Sequence, residues 1–203
     1  MLKIVLALVL ALTATQTALA DPAPRVAIET DKGRIVVEVY PDKAPVTAGN
    51  FLMYADKGLY RSASIYRTVR ADNDHNPARI TVVQGGLNLE VGQPDPAPPI
   101  AHETTEKTGI KHTDGVISMA RGDPGTAGAE FFICIGDNPA LDFGGRRNPD
   151  GQGFAAFGKV VEGMDVVKAI NAAKADLATP DEYVRGQLLS PPVKIVSVKR
   201  VAK

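Results

Sequence analysis

The chain has 203 residues with 23 basic and 23 acidic side chains, so no strong overall field draws nucleic acid or an anionic membrane toward it. A single cysteine excludes an internal disulfide scaffold, and the 44% hydrophobic share excludes a disordered composition, while 19 glycines and 15 prolines announce many turns. One moderate globular domain fits this length, and a second full domain would be cramped.

Lys3 precedes an apolar run over residues 4–12, and residues 13–20 close with small side chains at Ala18 and Ala20. This order is that of a signal peptide, and the apolar run is about half of the roughly 20 residues a spanning helix needs. Residues 1–20 are therefore expected to be removed, leaving a domain over residues 21–203 that is periplasmic or secreted, with no stable membrane insertion. No cysteine lies near the cut to carry a lipid.

Residues 25–30 and 33–40 alternate apolar and polar side chains around Asp31-Lys32-Gly33, which predicts a β-hairpin. Pro45 then opens a helical stripe of Ala48, Phe51, Leu52 and Ala55 that Gly58 ends. Short strands are predicted over residues 65–69, 80–84, 115–119, 130–135 and 155–160, a second helix over 164–173, and a last strand over 193–198. Repeated switching between short apolar segments and Gly/Pro turns favours a barrel or sandwich over a doubly wound sheet. The polar, proline-containing stretches 70–79 and 88–111 read as structured loops able to shape a groove.

The strongest constellation comprises Ser64-Ile65-Tyr66-Arg67, Val83-Gln84-Gly85-Gly86, Gly115 through Gly122 (GVISMARG), Gly128 through Cys134 (GAEFFIC) and Phe157-Gly158-Lys159-Val160. With the upstream Ala44 to Phe51 (APVTAGNF), these residues resemble the cyclophilin family of peptidyl-prolyl isomerases, and the resemblance covers nearly all of the mature chain. It implies an all-β dominated fold, an eight-stranded antiparallel barrel capped by two α-helices, with a proline-containing peptide lying across one face.

The resemblance also implies the site. The catalytic arginine falls on Arg67 and the active-surface glutamine on Gln84. The phenylalanine of the proline pocket falls on Phe132, an apolar pocket residue on Leu141, and the substrate-receiving backbone near Arg121. The bland alternatives are a surface ion pair for Arg67, a turn-stabilising amide for Gln84, and ordinary core for Phe132 and Leu141. A guanidinium suits this chemistry: twisting an X-Pro bond breaks amide conjugation against a barrier of about 18–20 kcal/mol and makes the prolyl nitrogen electron rich. Stabilising that state needs no nucleophile, metal or cofactor.

The sequence departs from the family at several positions. Thr81 and Val82 stand where a phenylalanine and a methionine are common, Ala140 near the common tryptophan, Phe154 near the histidine, and Glu130 in place of a glutamine. Phe154 either lines the pocket or packs into the barrel. Glu130 either pairs with Arg67, orienting it while weakening its field, or is an exposed strand carboxylate. The altered pocket is expected to lower affinity and to weaken binding of the family's cyclic inhibitor.

Other motifs carry less. Asp72, Asp74 and Asn76 begin like a calcium loop, but Pro77 and Val83 occupy the required glycine and glutamate positions, so a polar turn is expected. His75, His102 and His112 lack metal spacing, the 122–128 loop lacks a P-loop ending, Arg146 and Arg147 read as solvated charge, and Cys134 as a buried thiol. A hydrolase is disfavoured because no serine or cysteine shows matched partners. The expected activity is cis/trans isomerisation of X-Pro bonds during extracytoplasmic folding. The alternative is a proline-peptide-binding chaperone or structural module with little turnover. Expected partners are proline-containing peptides or unfolded secreted proteins, bound by a monomer.

Overall fold

The computed structural model describes residues 23–88 and 94–202, so the signal-peptide reading of residues 1–20 lies outside the described residues. Eight antiparallel strands close into a barrel: β1 (Arg25–Thr30), β2 (Gly33–Val39), β3 (Ser64–Val69), β4 (Val82–Gly86), β5 (Val116–Met119), β6 (Phe131–Cys134), β7 (Ala155–Glu162) and β8 (Leu188–Val201). Their order around the barrel is β1-β2-β7-β5-β6-β4-β3-β8, with β8 returning to β1. The two predicted helices, α1 (Pro45–Asp56) and α3 (Met164–Asn171), flank it, and a one-turn α2 (Thr105–Thr108) interrupts the second long loop.

The period-2 hairpin forms as expected, paired from Thr30↔Gly33 to Arg25↔Glu38. Alternation sends Val26, Ile28, Ile35 and Val37 to the interior. Phe51 of α1 closes that interior against Phe157 (ring centroids 5.1 Å apart), Phe131 (5.8 Å) and Tyr60 (5.7 Å).

Two strands start two or more residues from where the sequence predicts, for identifiable reasons. The strand expected over 80–84 runs over Val82–Gly86, because side chains take the preceding N–H groups: Ile80 N–H donates to Asp74 Oδ2 (2.9 Å) and Thr81 N–H to Asn138 Oδ1 (2.7 Å). The last strand extends from the expected 193–198 to Leu188–Val201. Its C-terminal half pairs with β1 and its N-terminal half with β3, and Pro191 and Pro192 fall where the β3 register slips between Ile65 and Arg67. Proline is tolerated at such an irregularity, so the Pro-Pro pair hides the strand from a sequence reading without ending it.

α1 begins without a local side-chain cap, since Ala44 precedes Pro45. Glu103 supplies the missing acceptor: its carboxylate takes the N–H groups of Val46 (3.2 Å) and Thr47 (2.7 Å) and the Thr47 hydroxyl (2.6 Å). At its other end α3 ties into the sheet, where Asn171 Nδ2 donates to Thr68 Oγ1 (2.6 Å) and to the carbonyls of Val69 and Val82 (both 3.2 Å). β3 and β4 are thereby fixed beneath the face described next.

Candidate active site

Strand register builds the site. Arg67 on β3 faces Gln84 on β4, Gln84 faces Phe132 on β6, and Phe132 faces Ser118 on β5. On regular β3, consecutive residues Tyr66 and Arg67 would point to opposite faces. The pairing instead jumps from Ile65↔Gly85 to Arg67↔Gln84, leaving Tyr66 as an extra residue. A bulge of this kind re-aims side chains, and here Tyr66 and Arg67 both reach Gln84: Arg67 Nη1 donates to Gln84 Oε1 (3.0 Å), and Gln84 Nε2 donates to the Tyr66 hydroxyl (2.7 Å).

The guanidinium is held from its other edge by a residue outside the sequence-predicted set. Arg67 Nε and Nη2 both donate to Gln187 Oε1, at 2.9 and 2.6 Å, and the Tyr183 ring covers the group with its centroid 5.3 Å from the guanidinium carbon. Burial draws the Arg67 pKa below its ordinary value, but a guanidinium stays charged in a protein.

Phe131 and Phe132 separate to opposite faces, as alternation requires. Phe131 joins the barrel interior, while Phe132, 4% exposed, heads a second apolar cluster with Val69, Ile80, Val82, Cys134 and Leu141. Phe154 packs edge-on against Phe132, with centroids 5.3 Å apart at 90°, so of its two readings the structure places it at the site. Arg67, Val82, Gln84, Arg121, Phe132, Leu141, Phe154 and Tyr183 meet around one cleft of about 130 Å³. A larger groove of about 640 Å³, between the end of α1 and β8, includes none of the predicted site residues.

Arg121 borders the cleft with its side chain committed elsewhere. It donates to both carboxylate oxygens of Asp150 (2.8 and 2.9 Å) and to the Gly153 carbonyl, and it lies over the Phe154 ring. Only its main chain is available to a ligand.

Glu130 corrects one expectation. Its carboxylate accepts from the Tyr66 hydroxyl (2.7 Å) and the Asn88 N–H (2.8 Å), and among the described residues no ion pair joins it to Arg67. Gly86, at φ 152°, leaves room for it, since a Cβ there would sit 2.5 Å from the carboxylate. Burial raises the Glu130 pKa, against hydrogen bonds from Tyr66 and from the Asn88 and Leu87 N–H groups. The result is a chain, Arg67 to Gln84 to Tyr66 to Glu130, in place of a direct pair.

Arg147 corrects another. Expected as solvated charge, it is 4% exposed, lines the cleft, and donates from Nη1 to both oxygens of Asp74 (2.9 and 2.7 Å) and to the Ala78 carbonyl (3.1 Å). Asp74 therefore serves as an anchor between loops, and among the described residues no cluster of three His, Cys, Asp or Glu side chains could hold a metal ion. A serine with matched partners also exists: His112 lies 3.0 Å from Ser118 Oγ through Nε2 and 2.9 Å from Asp142 Oδ1 through Nδ1. Ser118 is 0% exposed and sits opposite Phe132, so it presents no nucleophile to the cleft. Cys134 is buried as expected, and burial raises its thiol pKa.

Sequence reasoning gives no role to Tyr66, Tyr183 or Gln187 and reads Arg147 as solvated charge. Tyr66 stands beside Arg67 in the strand motif, but the bulge that turns both toward Gln84 shows only in the strand register. Arg147 and Gln187 meet their partners only through loop packing.

Residues 25–200 match the model of the family described as cyclophilin type peptidyl-prolyl cis-trans isomerase/CLD. The chain is 33% identical over 197 residues to peptidyl-prolyl cis-trans isomerase A of Dickeya dadantii, covering 96% of this chain and 94% of that protein. It is 36% identical over 146 residues to isomerase B of Escherichia coli, covering 71% and 82%. A cyclophilin type isomerase of Cryptosporidium parvum, crystallised in the presence of the dipeptide Ala-Pro, shares the fold with a TM-score of 0.68 at 19% identity, covering 88% of this chain and 99% of that one.

Proposed function

Because the chain belongs to the cyclophilin type peptidyl-prolyl cis-trans isomerases, we propose that it catalyses cis/trans exchange of X-Pro bonds in proline-containing peptides and unfolded secreted proteins outside the cytoplasm. The observation that carries this reading is the meeting of Arg67 with the Phe132, Leu141 and Phe154 wall at one cleft. A cavity of about 150 Å³ holds a benzene ring, so about 130 Å³ suits the smaller pyrrolidine ring of proline.

With the ring against Phe132 and Leu141, Arg67 faces the prolyl nitrogen. As the bond twists, that nitrogen loses conjugation and gains electron density, and the guanidinium favours this state over either planar isomer. A main-chain N–H of the Arg121 segment holds the substrate carbonyl, and Phe154 narrows access for water. No bond is made or broken, so the reaction balances without a cofactor. The extracytoplasmic setting is supported by the leader pattern of residues 1–20. Action as a monomer is supported by closure of the barrel, in which each strand of the described residues already pairs on both sides.

The test follows isomer exchange in a proline peptide by protease-free NMR. Arg67→Ala is expected to lower kcat/KM about 100-fold, the scale of one transition-state donor. Peptide binding without exchange in the wild-type protein would instead support a proline-peptide-binding chaperone.

A further inference from the structure

Arg67 is fixed by two amide oxygens, and only one belongs to its own sheet row. Gln84 lies directly across the β3–β4 ladder, whereas Gln187 comes from the turn before β8, 120 residues along the chain. Gln187 accepts from two different nitrogens of the guanidinium, a contact that sets both the position of the group and the orientation of its plane.

Gln187 is itself immobilised. It is 1% exposed, its Nε2 donates to the Asn73 carbonyl (2.7 Å), its N–H donates to the Val184 carbonyl (3.0 Å), and its own carbonyl accepts from the Thr68 N–H (2.8 Å). Donation to Asn73 also settles which end of the amide faces Arg67, since the oxygen must then be the acceptor. Asn73 is locked in turn: its Nδ2 donates to the Thr68 and Gly186 carbonyls, and its Oδ1 accepts from the Arg70 N–H. The loop following β3 and the turn preceding β8 therefore close around one amide whose free oxygen points at Arg67.

We propose that Gln187 is a positioning residue for Arg67, holding the guanidinium in its productive plane through a neutral acceptor that leaves its charge uncompensated. This rests on the reading of Arg67 given above. A long arginine side chain without such a brace samples many rotamers, and misplacement of a reacting group by about 1 Å can cost on the order of 100-fold in rate. A carboxylate in the same place would brace the group equally well while offsetting its charge.

The experiment compares wild type, Gln187→Met, Gln187→Glu, Arg67→Ala and the Arg67→Ala/Gln187→Met double variant in the NMR exchange assay, with hydrogen exchange of the Arg67 Nε–H as a second readout. Gln187→Met keeps the volume and removes the acceptor. It is expected to lower kcat about tenfold or more with KM within twofold, to speed exchange of the Arg67 Nε–H, and to change the residual rate less than twofold in the Arg67→Ala background. Gln187→Glu restores an acceptor, so the Nε–H is expected to regain protection while kcat stays low. Wild-type kcat in Gln187→Met, or an equal loss with and without Arg67, overturns the positioning role alone. Wild-type exchange in Arg67→Ala overturns the reading of Arg67 itself.

Discussion

Arg67 carries a full charge among neutral acceptors, the oxygens of Gln84 and Gln187. The nearest carboxylate in its hydrogen-bond chain, Glu130, is two residues removed and already engaged by Tyr66 and Asn88. This separation lets Glu130 set the Tyr66 hydroxyl, and Tyr66 set the Gln84 amide, without an acid against the guanidinium. Tyr66→Phe removes the acceptor of Gln84 Nε2 and one donor to Glu130. Losing one orienting hydrogen bond of roughly 1 kcal/mol corresponds to about a fivefold fall in kcat/KM. Steady-state exchange kinetics should show that modest fall, well short of the Arg67→Ala effect. A fall as large as that of Arg67→Ala would mean that Tyr66 contacts substrate.

At the scale of elements, the loops give the cleft its walls, and one buried ion pair joins two of them. Asp74 in the loop after β3 and Arg147 in the loop before β7 have side chains only 1% and 3% exposed. Burial works against the Asp74 carboxylate, yet hydrogen bonds from Arg147 and from the Ile80 and Asn76 N–H groups hold its pKa below the usual range. Removing one member leaves the other charge buried, which typically costs 3–5 kcal/mol. Arg147→Met is thus expected to lose about 3 kcal/mol in urea unfolding, toward the low end because two N–H groups still serve Asp74. Adding Asp74→Asn should recover part of the loss, since no unpaired charge then remains. Equal stability of the single and double variants would argue against a buried pair. Such elements also show where the sequence was legible. The hairpin, α1 and the split of Phe131 from Phe132 follow from periodicity, whereas Arg67, Gln84 and Phe132 follow only from the family resemblance that short strand motifs carry. Arg147 reads as solvated charge because its glycine- and proline-rich surroundings show the turn without showing what it folds onto. Gln187 is illegible in the sequence because its partner lies across a closure made by a strand that two prolines disguise.

For the whole molecule, pH is the variable that reaches several of these contacts together. Burial lowers the His112 pKa below its ordinary 6.5, against the hydrogen bond to Asp142 and with a small contribution from Lys111. In the folded state the neutral ring accepts from Ser118, donates to Asp142 and stacks on Phe132 with centroids 5.8 Å apart. The unfolded chain therefore takes up this proton first as pH falls. The His112 contribution is at its full value above about pH 6.5 and declines below it, until pH passes the lower folded-state value. Asp74 and Asp142, both held below their ordinary 3.8, add a further loss only at more acidic pH. Glu130 acts with the opposite sign: its raised pKa contributes stability at low pH that is lost as pH rises through the folded-state value. The expected outcome is a urea midpoint that falls between pH 7 and pH 5 and falls again below pH 4. In His112→Gln the first fall should flatten, leaving the carboxylate step in place. An unchanged slope between pH 7 and pH 5 in that variant would assign the first fall to another group, with His102 next in line because burial lowers its pKa as well.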